Sequence, residues 1–303
     1  MDRILVFGSV NLDYTYEVPH IVQPGETISS TSYRTAWGGK GLNQAISLAK
    51  AGASTFLAAQ VSAADRPALA DFCRPLRLDI SRVYPVSFPT GHAVIQVDRT
   101  GQNSIVVAAG ANCEMTPETV QRGLEDFGPG DMLLLQNEIS LVPEMMRDAK
   151  ERGIRVALNP SPFTGEIAHW PLEYVDIFLL NETEGRALSG QSEPEDILAT
   201  LLARYPAAQF VLTLGEKGSL FASGSQRLSM EACRVQAVDT TGAGDTFTGY
   251  FLSGLLKGVE VEEAMRMASL ASAIAVSRPG AAQSIPELSE VLDFQKMGWK
   301  GEP

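Results

Sequence analysis

Val238-Asp239-Thr240-Thr241-Gly242-Ala243-Gly244-Asp245-Thr246-Phe247 joins a strand-like run to a helix through a turn of small residues. The helix is expected over Gly244–Lys257, where Phe247, Tyr250, Phe251, Gly254 and Leu255 share one face at the 3.6-residue period. Small residues at 242–244 let successive backbone N–H groups point into one hollow at the helix start, where the macrodipole also favours an anion. Asp245 then falls in the first helical turn, beside the hollow. A carboxylate there can accept a proton from a hydroxyl placed next to a bound phosphoryl group. The same residues also read as a plain connector with a helix-favouring Asp.

Working outward, strand-like and helix-like runs alternate, the pattern of a parallel sheet covered on both faces. Ile4–Phe7 reads as the first strand. Leu42, Ala45, Ile46 and Ala49 form the stripe of an amphipathic helix, with Asn43, Ser47 and Lys50 on another face. Further buried strands are expected at Thr55–Ala59, Met132–Gln136, Arg155–Leu158, Ile177–Leu180 and Phe210–Leu214. A last long helix is expected over Val261–Ser277, on Val261, Ala264, Met265 and Ala268. The fold class is therefore α/β, a mostly parallel central sheet flanked by helices on both faces.

Two stretches break the rhythm. Tyr14-Thr15-Tyr16-Glu17-Val18 and Ala93-Val94-Ile95-Gln96-Val97 alternate like half-exposed strands, with turns at Pro24-Gly25 and Thr100-Gly101. Two hairpin-like excursions can pair into one small β-sheet, and a sheet over the carboxyl ends of the core strands would be a lid. The expected division is a core of residues 1–13, 38–90 and 109–303, with the lid at 14–37 and 91–108.

Composition narrows the function. The 303 residues are 45% hydrophobic and 20% charged, enough to bury a sizeable core. A net charge of −12 argues against a nucleic-acid or anionic-membrane surface. It does not exclude an anionic ligand, since oriented amides bind phosphate without net positive charge. Cys73, Cys113 and Cys233 are far apart with no C-x-x-C pair, so buried thiols in a reducing compartment are expected. The apolar run Ile4–Phe7, ended by Gly8, is too short for a signal-peptide core, and no stretch has the length of a membrane span. A cytoplasmic location follows as the expectation.

Several chemistries lose support by absence of their motifs. There is no G-x-x-x-x-G-K-[ST], no G-x-G-x-x-G after the first strand, no H-E-x-x-H and no G-x-S-x-G. His20, His92 and His169 are scattered and read as structural or surface residues.

Four motifs in order carry a family resemblance: Gly8-Ser9-Val10-Asn11-Leu12-Asp13, Gly38-Gly39-Lys40-Gly41-Leu42-Asn43-Gln44-Ala45, Asn181-Glu182-Thr183-Glu184, and the turn Asp239–Asp245. Together they resemble the ribokinase (PfkB) family of carbohydrate kinases, over the chain from the first strand to about Pro286. The Gly-Gly-Lys-Gly-x-Asn-Gln-Ala form is closer to the ribokinases than to fructokinases or adenosine kinases. Asn159-Pro160-Ser161-Pro162 and the ending at 278–281 agree.

The resemblance implies a set of roles. Asp245 is the expected catalytic base, with the amides of Gly242, Ala243 and Gly244 as the anion hole. Asn11, Asp13, Gly39, Lys40, Asn43 and Glu138 are the expected sugar-binding residues. Asn181 is expected at the nucleotide phosphates, and Glu184 at Mg2+, through water. Read bare, Asn181 and Glu184 have the spacing of a capping box. Thr213, Gly215, Glu216, Lys217 and Gly218 match the loop bordering the adenine nucleotide, with Gly244 also against the cofactor. A K+ site is implied at Asp239, Thr241, Ala275, Arg278, Gly280 and Ser284, mostly through carbonyls.

Ser62-Ala63-Ala64-Asp65-Arg66-Pro67 lacks both glycines of the family's Gly-x-Asp-x-x-Gly, a departure expected to touch specificity rather than catalysis. His92 stands on a lid strand where an apolar residue is commoner. The implied activity is ATP-dependent phosphorylation of a small sugar's primary hydroxyl, D-ribose first, with another pentose, a ketose or a nucleoside as rivals. A non-catalytic sensor on the scaffold would have lost Asp245 or its turn, and both are present. A homodimer through the lid would cover its strand edges.

Overall fold

The computed structural model describes residues 2–297. Its core is a nine-stranded sheet built on β1 (Arg3–Phe7). The chain continues through β2 (Asn11–Glu17), β3 (Ser32–Gly38), α1 (Lys40–Lys50), β4 (Ser54–Ser62), α2 (Arg66–Cys73), β5 (Asp79–Val86), β6 (Gly91–Val97) and β7 (Asn103–Ala108). Next come α3 (Pro117–Gly123), β8 (Met132–Gln136), α4 (Val142–Glu151), β9 (Arg155–Asn159), β10 (Ile177–Asn181), α5 (Glu182–Ser189), α6 (Pro194–Arg204) and β11 (Gln209–Thr213). The last elements are β12 (Ser219–Ser223), β13 (Gln226–Met230), α7 (Ala243–Leu256), α8 (Val261–Val276) and α9 (Leu288–Lys296).

The large sheet runs β13-β12-β11-β10-β9-β8-β1-β4-β5. All pairs from β11 to β5 are parallel, and β12 and β13 close one edge as an antiparallel hairpin. The β12–β13 hairpin was not anticipated, because Gln226–Met230 carries too few apolar residues to read as a strand.

Strand alternation sorts the core. Ile4, Val6, Met132 and Leu134 point to the side of α1, α7 and α8, whereas Leu5, Phe7, Leu133 and Leu135 point to the side of α4, α5 and α6. Strands buried on both faces read as continuous apolar runs, which is why these were legible. Each fully buried Leu or Phe contributes roughly 1.5–3 kcal/mol.

The four-stranded second sheet has the order β3-β2-β6-β7. Three residues, Gly8 to Val10, carry the chain from β1 into β2, so the root of the small sheet sits at the carboxyl end of β1. β2 pairs antiparallel with β3 and parallel with β6, uniting the two excursions. The β6–β7 turn closes on Asp98, whose carboxylate accepts from the amides of Thr100 (2.8 Å) and Gln102 (3.1 Å). Pro24 and Gly25 lie in a turn within the longer 18–31 connection.

The order reverses at β1, with β8 on one side and β4 on the other. A crevice opens at the carboxyl ends of the strands at such a switch point. Among the described residues no helix is long and apolar enough to cross a membrane.

Three expectations need correction. The run before Asp239 is irregular chain rather than strand, since β13 already ends at Met230. Helix α1 is buried from Gly41 to Ala49 rather than on one stripe, because α7 covers its polar face. Cys73 and Cys233 are buried, but Cys113 is exposed at the end of a short 3-10 turn.

Candidate active site

The turn read first caps α7. Gly242 sits at φ 76°, a left-handed position that glycine enters without penalty, and its carbonyl accepts from the amide and the hydroxyl of Thr246. The amide of Ala243 closes the turn onto the carbonyl of Thr240 at 3.3 Å. A methyl built on Gly244 would meet nothing within 4 Å, so the helix start is open to the crevice.

Asp239 ties this turn to the end of α8. Its carboxylate accepts from the amides of Thr241 and Gly280, both at 2.9 Å, and the amides of Val238 and Asp239 donate to Val276 O. Burial works against its charge, but the hydrogen bonds from Thr241 and Gly280 outweigh it and hold the carboxyl below its usual range. The segment carrying Arg278, Gly280 and Ser284 is thereby drawn under the turn. The Ala275 carbonyl accepts from Arg278 N at 3.1 Å, and the Arg278 guanidinium points away to Glu290 at 2.6 Å. Oxygen donors from a carboxylate and carbonyls suit a hard cation.

Asp245 is 6% exposed. Asn43 Nδ2 donates to its Oδ2 at 3.1 Å and Gln44 Nε2 to its Oδ1 at 2.9 Å. Asn43 was expected to face a ligand from the free side of α1. That side of α1 is instead packed against α7, where the Ser47 hydroxyl also donates to Thr246 O at 2.8 Å. Asn43 Oδ1 is buried without a protein partner. A buried acceptor of that kind calls for a donor from outside the chain.

The expected sugar residues gather at the root of the small sheet. Asn11 Oδ1 accepts from Asn112 at 2.8 Å, and Asn112 Oδ1 accepts from Val10 N at 3.1 Å. Glu138 Oε2 accepts from the Ser9 hydroxyl and from the amide of Lys40, the residue after the helix cap Gly39. Burial, and then the nearby charge of Glu138, push the Asp13 carboxyl up to about 6.

A cavity of about 230 Å3 opens beside the glycine turn, lined by Lys40, Asn181, Glu184, Thr213, Gly244 and Asp245 among others; of the expected sugar residues it reaches Lys40, while Asn11, Asp13, Gly39, Asn43 and Glu138 lie outside its lining. Asn181 and Glu184 make the capping box: Asn181 Oδ1 accepts from Glu184 N at 2.9 Å, and Glu184 accepts from Asn181 N (3.0 Å) and Nδ2 (2.9 Å). Glu184 thus keeps one free lone pair on each oxygen, which suits a water-mediated metal better than direct ligation. Gly215, Glu216 and Lys217 form a 3-10 turn between β11 and β12, with Gly218 as its cap; of that loop Thr213 alone lines the cavity.

Sequence reasoning gave no role to Gln44, Ser9 and Asn159, though they stand inside the quoted motifs, nor to Asn112 and Gln136. Their signal was polar residues inside or ending apolar strands and helices, which burial forces into hydrogen bonds. The divergent 62–67 loop anchors the small sheet: the Thr90 hydroxyl donates to Asp65 at 2.6 Å and accepts from Ser62 N at 2.9 Å, one residue before β6. His92 packs edge-on against Tyr14, and His20 pairs with Glu26.

Comparison with known proteins extends the local resemblance to the whole chain. The pfkB family carbohydrate kinase pattern matches residues 1–288. A ribokinase of Haemophilus influenzae is 36% identical, covering 96% of this chain and 97% of its own. A deoxyribokinase of Salmonella typhi is 33% identical over 96% and 98% of the two chains. The structure of Arabidopsis thaliana ribokinase complexed with ribose and ATP superposes with a TM-score of 0.86 at 31% identity, covering 98% of this chain and 100% of the other. The chain belongs to the pfkB family of carbohydrate kinases.

Proposed function

We propose that the protein phosphorylates the primary hydroxyl of D-ribose with ATP, giving ribose 5-phosphate and ADP. The observation that carries this reading is the buried Asp245 carboxylate at the head of the glycine turn, in the one cavity that also holds Lys40, Asn181 and Glu184. Relatives named ribokinase, and one solved with ribose and ATP, support the substrate pair.

In this reading Asn11, Asp13, Gly39, Lys40, Asn43 and Glu138 hold the sugar hydroxyls, and the small sheet closes over them to exclude water. Asp245 takes the proton of the attacking hydroxyl. The sugar oxygen bonds to the γ-phosphorus as the bond to the β-phosphate oxygen breaks, and ADP leaves with that electron pair. In this reading the amides of Gly242, Ala243 and Gly244 face the transferring group, that of Ala243 shared with the Thr240 carbonyl, and one placed donor of this kind is worth roughly 3 kcal/mol. Asn181, Thr213 and the 215–218 loop hold the nucleotide. Glu184 would hold Mg2+ through water, and Asp239, Thr241, Ala275, Arg278, Gly280 and Ser284 would hold K+; these cations supply charge neutralisation at the phosphates and at the turn.

The small sheet also supports a homodimer. Tyr14, Tyr16 and Tyr33 stack on one of its faces beside Val94 and Val106, an apolar patch that a second copy would cover. A cytoplasmic setting fits a consumer of ATP.

The deoxyribokinase relative favours a second reading, a kinase for another pentose. A coupled ADP-release assay with Mg2+ and K+ over pentoses, hexoses, ketoses and nucleosides, with Asp245→Asn beside the parent, separates them. Ribose preference lost in the variant supports the proposal. Another preferred sugar moves the substrate, and an active variant removes Asp245 as base.

A further inference from the structure

Asp245 does not stand alone in the core. Gln44, fully buried in α1, donates its single side-chain nitrogen twice: to Asp245 Oδ1 at 2.9 Å and to Asn159 Oδ1 at 3.0 Å. Its own oxygen accepts from Gln136 Nε2 at 2.7 Å. Asn159 in turn donates Nδ2 to the carbonyl of Leu179 at 2.9 Å.

The direction of this chain is fixed by its far end. A backbone carbonyl can only accept, so Leu179 O compels Asn159 to present Nδ2 to it and Oδ1 to Gln44. Gln44 must then present Nε2 to Asn159, and the same nitrogen faces Asp245. Turning the Gln44 amide over would set its oxygen against two acceptors and its nitrogen against the nitrogen of Gln136. Gln136 is itself confined, because its Oε1 lies where a Cβ on Gly8 would stand, 2.3 Å away. That oxygen is buried with no partner. An orphaned acceptor costs stability, roughly 1–3 kcal/mol.

Resting on the reading of Asp245 as the base, we infer that Gln44 is a positioning residue for it, with Gln136 and Asn159 as its supports. Asn43 holds Oδ2 and Gln44 holds Oδ1, so the carboxylate cannot rotate about its Cβ–Cγ bond. Asp245 lines the cavity, where the attacking hydroxyl would meet the lone pairs left free. A base held in this way loses no time to wrong orientations, whereas a misplacement of about 1 Å can cost about 10²-fold in rate. Gln44 does not line the cavity that Asp245 enters, so its effect is expected on the chemical step rather than on binding.

The test compares Gln44→Met, Gln136→Met, their double variant, Gln44→Asn and Asp245→Asn in full-length protein. Steady-state kinetics, calorimetric binding of ribose and ADP, and Tm are read for each. Gln44→Met is expected to lower kcat about 10²-fold, with KM for sugar and ATP and both binding constants within about threefold. Gln136→Met should lower kcat about fivefold, and the double variant should be no worse than Gln44→Met, because the two act as one unit. Gln44→Asn keeps a neutral amide in the core but shortens its reach by one methylene, which withdraws the donor from Asp245, so it should lower kcat at least about tenfold; it decides the matter if Gln44→Met does not fold. The inference is overturned by a kcat within about twofold of the parent in Gln44→Asn, or by losses that multiply in the double variant. Asp245→Asn keeps the two readings apart: if it retains turnover, the base reading falls, whereas a dead Asp245→Asn beside a fully active Gln44→Asn removes Gln44 alone.

Discussion

Asn43 donates its amide to Asp245 at 3.1 Å while its own carbonyl oxygen lies buried without a partner. In the proposed reading one side chain serves the base with its donor and offers the substrate its acceptor. Asn43→Ala should therefore raise the sugar KM about tenfold and also lower kcat, with the ATP KM within about threefold. Steady-state titration of each substrate in turn checks it. An unchanged sugar KM would mean that the orphaned oxygen meets no hydroxyl.

Asp13 carries a pH dependence whose sign follows from its environment. Burial and then the charge of Glu138 raise its carboxyl to about 6, so the free site holds it protonated below that pH. A carboxylate accepts two sugar hydroxyls and the neutral acid accepts less well, so the sugar KM should rise as the pH falls through about 6. Stability runs the other way. Between the unfolded value near 3.8 and about 6 the folded chain binds the extra proton, so this group's contribution to stability falls as the pH rises through that window. Asp13→Asn should accordingly raise the ligand-free Tm at pH 8 by a few degrees and abolish the pH step in sugar KM. A flat KM profile in the parent between pH 5 and 7 would contradict the assignment.

The legible part of the fold was its doubly buried strands. Met132-Leu133-Leu134-Leu135 and Ile177-Phe178-Leu179-Leu180 announce themselves because both faces need apolar residues. The glycine turn and the capping box were legible because a backbone conformation restricts the residue type. Gln44, Gln136 and Asn159 were not, since a lone amide in an apolar run carries no period and its partners lie 92 and 115 residues away from Gln44. The buried polar face of α1 was misjudged for the same reason: only the packing of α7 decides whether that face meets water. The anchoring of the small sheet through Thr90 and Asp65, 25 residues apart, was equally invisible.

Gly242 tests the turn without touching a side chain. Its φ of 76° places any other residue in the left-handed region, and an added methyl would lie 3.2 Å from Ala281. Gly242→Ala should cost roughly 1–2 kcal/mol of stability and swing the first amides of α7. The expected kinetic result is a kcat at least about tenfold lower with calorimetric sugar binding unchanged. Loss of sugar binding in step with kcat would show that the turn shapes the sugar pocket rather than the phosphoryl site.

The outer face of the small sheet is the surface proposed for the homodimer. Register places Val106 opposite Val94 and Val94 opposite Tyr14, so these share one face, while Asp13, Ala93 and Val107 share the other. Asp13 turns its face toward Glu138 and the proposed sugar site, which leaves Val106, 66% exposed, on the outer side. An apolar outer face bearing three tyrosines is costly to leave in water, and a second copy would cover it symmetrically. Light scattering at micromolar concentration should return twice the chain mass of 32.5 kDa for the parent and the single mass for Val106→Glu. Because the outer face braces the strands that carry Asp13, the monomeric variant should also show a sugar KM raised several-fold, with kcat at saturating sugar nearly retained. A parent that is monomeric would place the tyrosine face in another role, and a monomeric variant with an unchanged sugar KM would show that the small sheet closes over the sugar without its partner.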